Sequence, residues 1–126
     1  MSRHRIDEIA NPVRTFRGLR QGLDSAEVWM ERADGTREPL PHIVRHSPTG
    51  FEWGYMGSGP SDLALALCDA ATAGRVTSSR VYMAIRDELV AGIQADAWEL
   101  PATRVLDAIA RLTEGDQHRP HRLGFD

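Results

Sequence analysis

Apolar positions along this chain change their period once, near residue 60. Ahead of that point they alternate, and beyond it they recur every three or four residues. Residues 13–18 read as a short strand anchored by Phe16. In residues 26–32, Ala26, Val28 and Met30 share one face, while Trp29 falls on the other between Glu27 and Glu31. Asp34-Gly35 is a hairpin dipeptide, because glycine takes positive φ cheaply. The return strand, residues 36–40, is stopped by Pro39 and Pro41, which confines it to a sheet edge. Residues 42–46 read as extended, and 47–50 as a turn. Phe51, Trp53 and Tyr55 then alternate with Glu52 and Gly54 as an aromatic strand.

From Pro60 the pattern is helical. Proline suits a first helical turn, Ser58 or Gly59 stands at the cap position, and Asp62 complements the positive helix end. Leu63, Leu65 and Leu67 point around much of the cylinder, so this helix is predicted to be central and buried, ending at Gly74. A second helix is predicted over 79–93, capped by Thr77 or Ser78, with Val81, Tyr82, Ile85, Leu89, Val90 and Ile93 inward. Trp98-Glu99-Leu100 reads as a connector. A third helix starts at Pro101 and runs to about residue 113, with Val105, Leu106, Ile109 and Leu112 inward. The fold class follows: α+β, a small antiparallel sheet of three to four strands packed against about three helices. Residues 1–12 and 115–126 read as polar tails around a single domain, 13–114. Dimerisation through a strand edge or Trp29 is compatible with this layout.

Composition narrows the function. The net charge of −3 is too small for a nucleic-acid-binding face, so no direct nucleic-acid contact is expected. All fifteen basic residues are arginine, so no lysine exists to form a Schiff base. The single cysteine, Cys68, lies in the apolar helix and reads as packing. With no apolar run of membrane-spanning length and no signal core, an intracellular, cytoplasmic location is expected.

Candidate chemistry concentrates at the strand–turn–helix. Backbone N–H groups at a helix start, with the dipole, form an anion site. Gly57 and Gly59 would allow close approach, Ser58 would add a hydroxyl donor, and Trp53 or Tyr55 would stack on a base. The same glycines equally serve as a tight turn, and the aromatic stripe equally serves as sheet core. The spacing matches neither the dinucleotide fingerprint nor the phosphate-binding loop with its lysine. Ser58 lacks the flanking glycines of a nucleophile elbow, since Met56 and Pro60 stand there. His42 and His46 would lie roughly 13 Å apart on a strand. No catalytic residue, metal site or cofactor is assigned.

The run Phe51-Glu52-Trp53-Gly54-Tyr55-x-Gly57-Ser58-Gly59-Pro60-x-x-Leu63-Ala64-Leu65-Ala66 resembles the core of a family of small uncharacterised proteins found in prokaryotes, phages and plasmids. Phe16-Arg17-Gly18, Ser47-Pro48-x-Gly50-Phe51 and Trp98-x-Leu100 extend the similarity over residues 16–112. Met56 departs from the family's glycine. The resemblance implies a mobile-element accessory protein without catalytic residues, acting on a host protein, with a CRISPR-like defence component as the class of target. A small-ligand or nucleotide binder using the Gly57–Pro60 turn is the alternative.

Overall fold

The computed structural model describes residues 10–22, 25–75 and 78–123, with side chains up to residue 114. Most of the N-terminal tail, the Thr77 cap and the C-terminal tail's side chains thus lie outside the described residues.

Strand β1 (Val13–Arg20) pairs antiparallel with β2 (Ala26–Arg32), setting Phe16 against Met30, Arg17 against Trp29 and Gly18 against Val28. The alternation works as expected. Phe16, Val28 and Met30 are buried under the helices, while Arg17, Trp29 and Glu31 occupy the opposite face. The hairpin turns at Gly35, whose φ is +90°, and the Asp34 carboxylate accepts the Thr36 N–H and hydroxyl. The edge strand β3 (Arg37–Pro39) is as short as its prolines require.

Helix α1 (Ser58–Ala71) is buried at ten successive positions, Gly59 through Cys68. It is the central helix, and each of its three leucines contributes about 1.5–3 kcal/mol by leaving water. Ala73 and Gly74, both at positive φ, end it. Helix α2 (Ser79–Ile85) widens into a π-helical turn over Arg86–Val90. The 79–93 prediction thus holds in place but not in regularity.

Two expectations are corrected. Trp98-Glu99-Leu100 is no connector: β4 (Ala97–Pro101) pairs with β1, giving a four-stranded antiparallel sheet in the order β3-β2-β1-β4. Its partner residue Gly18 explains the pairing, because a Cβ there would sit 2.2 Å from the Trp98 indole. The indole lies directly on the bare backbone. Residues 51–55, in turn, form no strand. Gly50 and Gly54 take φ of +122° and +94°, breaking the extended run. The aromatics consequently diverge: Phe51 is half-buried, Trp53 buried and Tyr55 exposed.

Helix α3 (Ala102–Leu123) presses Ala102, Val105, Ala108 and Ile109 inward, and its backbone continues beyond the predicted end near residue 113. The extension runs through Gly115 and Pro120, residue types that disfavour a helix interior, so local propensity gave no sign of it. Among the described residues no helix is long and apolar enough to cross a membrane.

Candidate functional site

Two loops meet at the start of α1, and each is fixed by a buried or half-buried charged residue. The first loop, residues 40–50, is held by Asp62. One turn into the helix and fully buried, this carboxylate accepts the His46 N–H at 2.9 Å, the Ser47 N–H at 3.0 Å and the His42 ring at Nε2, 2.8 Å away. The Arg45 N–H approaches both oxygens at 3.3 Å. Burial alone would raise the carboxyl's pKa. The His42 ring and the Ser47, Arg45 and His46 amides outweigh that, so it is held below its ordinary value.

Neighbouring contacts extend the clamp. His42 tilts against Phe51 with ring centroids 4.7 Å apart, and His46 Nε2 shares a hydrogen bond of 3.0 Å with the Tyr82 hydroxyl. The Ser47 hydroxyl donates to the Gly50 carbonyl at 2.9 Å. His42 and Asp62 resemble part of a hydrolytic triad, yet no serine hydroxyl bonds to His42 among the described residues. The pair fixes a loop.

Arg20, at the end of β1, holds the second loop. Its Nη2 donates to Glu52 Oε1 at 2.7 Å and to the Trp53 carbonyl at 3.2 Å, and its Nη1 reaches Asp96 at 2.9 Å. The guanidinium carbon stands 4.5 Å from the Trp53 ring centroid. Trp53 also donates Nε1–H to the Ala95 carbonyl at 2.9 Å and meets Trp98 edge-on at 5.4 Å. Its ring is engaged inside the protein.

The glycines of the turn serve close packing. A Cβ on Gly57 would lie 2.3 Å from the Tyr55 ring, and one on Gly59 would lie 2.8 Å from Glu52 Cβ. Ser61 donates back to the Gly57 carbonyl through both its amide and its hydroxyl, while Arg86 Nη1 donates to that hydroxyl at 3.0 Å. Of the five residues singled out by sequence, Tyr55 and Ser58 face solvent, Gly57 and Gly59 lie under neighbouring atoms, and Trp53 is core. Between the loops is a hollow of about 70 Å³ bordered by Ser47, Thr49, Glu52 and Tyr55. That is room for about two water molecules at ~30 Å³ each.

Three large apolar side chains stand among what the loops present outward, beside exposed Arg45, His46 and Thr49. Val44 is 59% exposed, Tyr55 52% and Met56 64%. Asp62 is the organising residue that sequence reading placed only as a dipole complement. A signal was available: a carboxylate inside an otherwise apolar buried run must find several donors, and the polar stretch 42–47 is the nearby source. Among the described residues no three His, Cys, Asp or Glu side chains are grouped to hold a metal ion.

No curated protein and no solved structure matches the chain at a significant level. The model of a family of unknown function (DUF6166) matches residues 16–111, spanning most of β1, both loops and the first half of α3. The chain belongs to that family.

Proposed function

We propose that this protein is a non-enzymatic accessory binding protein of the phage or mobile-element type. In this reading it acts inside the host cell by direct contact with a host protein, and a defence component is the class of target. The observation that carries the reading is the exposure of Val44, Tyr55 and Met56 on two loops that Asp62 and Arg20 hold in place from within. Such a surface contributes apolar contact area with little ordering cost on binding, because the loops are already fixed. Tyrosine is also enriched at binding hot spots.

Capture from host lysate tests the proposal, comparing the natural protein with Tyr55→Glu/Met56→Glu. A stoichiometric partner retained by the first and lost by the second supports it. Equal recovery by both refutes the role of these loops. The alternative, a small anion or nucleotide at the helix start, draws on the exposure of Ser58 beside Tyr55. Thermal stabilisation by a nucleotide, lost in Ser58→Ala, would favour it instead.

A further inference from the structure

At the far end of α1 from these loops, an open groove of about 550 Å³ runs between the end of that helix and α3. Alanines on both helices, Ala70, Ala71 and Ala110, leave the space that larger side chains would fill. Val13 also lines it, with Leu106 and Ile109 along the α3 side. Leu106 remains 39% exposed, an apolar side chain held in water rather than in the core. The volume lies within the range of about 300–1,000 Å³ common to small-molecule sites.

Among the described residues that line this groove none is acidic, and two are arginines. Arg32 is only 8% exposed; its Nε is bound to Glu38 at 2.7 Å and its Nη1 to the Asn11 carbonyl at 3.1 Å. No acceptor meets its Nη2 among the described residues. Arg75, exposed at the rim, has no carboxylate partner among the described residues either. An apolar trough with guanidinium donors at its edge complements a ligand of matching polarity.

We infer that this groove binds a small amphipathic anion, an acyl-type apolar body ending in an anionic head. The body lies along Leu106, Ile109 and the alanines, and the head accepts hydrogen bonds from Arg75 and from Arg32 Nη2. This site is independent of the loop surface proposed above.

The test is methyl NMR on the full chain, titrating dodecanoate below its micellar concentration, with dodecanol and dodecyltrimethylammonium as matched probes. The expected result is a saturable shift of the Leu106 and Ile109 methyls, strongest for dodecanoate. Arg75→Gln should weaken dodecanoate by about tenfold, the lower range for a lost charge-assisted hydrogen bond. Ala110→Trp, a substitution at an exposed position, should abolish the shift while leaving the melting temperature near that of the natural protein. Equal binding of all three probes, or indifference to Arg75→Gln, overturns the inference. So does the absence of a saturable shift, the result expected if residues 1–9 or a second copy fill the groove.

Discussion

Replacing Asp62 should loosen the loop surface more than any change made on that surface itself. In Asp62→Ala the His46 and Ser47 amides lose acceptors at 2.9 and 3.0 Å, and His42 loses its partner at 2.8 Å. A hydrogen bond to a charged group contributes about 1.5–3 kcal/mol, and a buried donor left unsatisfied costs about 1–3 kcal/mol. These terms overlap. His46 is exposed enough for water to replace part of its loss, whereas Ser47 is buried. A net cost of about 3–4 kcal/mol follows.

With an unfolding entropy of about 2.1 cal/mol/K per residue, that cost lowers Tm by roughly 11–15 °C in a chain of 126 residues. Asp62→Asn keeps one acceptor but turns an NH₂ toward a donor, so it should cost about 2 kcal/mol. The pH dependence has a definite sign. Because the folded carboxyl titrates below its ordinary value, its stabilisation is full above the unfolded pKa of about 3.9. It declines below that and is lost once pH falls through the folded value. The gap between natural protein and Asp62→Asn should therefore be constant near neutrality and close in acid.

Thermal melts across pH, with hydrogen exchange at the residue 45–47 amides, provide the assay. A Tm change under about 3 °C for Asp62→Ala, a size expected for less than about 1 kcal/mol, with those amides still protected, would refute the clamp.

Two further predictions concern the core. Gly18→Ala would force the Trp98 indole off β1, since the added Cβ would sit 2.2 Å from it, and should cost about 1–3 kcal/mol. Combining it with Trp98→Leu should recover part of that loss, which a double-mutant cycle in urea would measure as coupling. Cys68 is fully buried, and burial, aided by the charge of Asp69, pushes its thiol up to about 12. It should resist a disulfide reagent at pH 8 in the native protein and react on denaturation; rapid native labelling would contradict its packing.

The elements with one dominant signal were legible in sequence. Asp34-Gly35 fixes a hairpin by backbone conformation, and the leucine–alanine run after Pro60 fixes a buried helix. β4 was hidden because its evidence is non-local. Trp98 looks like an edge cover until it is set against the bare Gly18 backbone eighty residues earlier. Residues 51–55 misled because a period of two arose from three separate demands. Phe51 meets His42, Trp53 fills the space beneath Arg20, and Tyr55 lies over Gly57. At the candidate site, the glycine turn was legible but its packing role was not, since the atoms filling the missing Cβ positions come from Tyr55 and Glu52. The Asp62 clamp joins residues 15 to 20 positions apart, a pairing that no local propensity encodes.

The most direct test of the proposed role is site-specific photo-crosslinking in the host cell. A photoreactive residue is placed in turn at position 56 on the loop tip, at 37 on the open sheet face and at 106 beside the groove. All three are solvent-accessible, so each can report a neighbour. The loop-surface reading predicts one discrete protein adduct from position 56 and none of that mass from 37 or 106. An adduct from 37 or 106 with position 56 silent would contradict it.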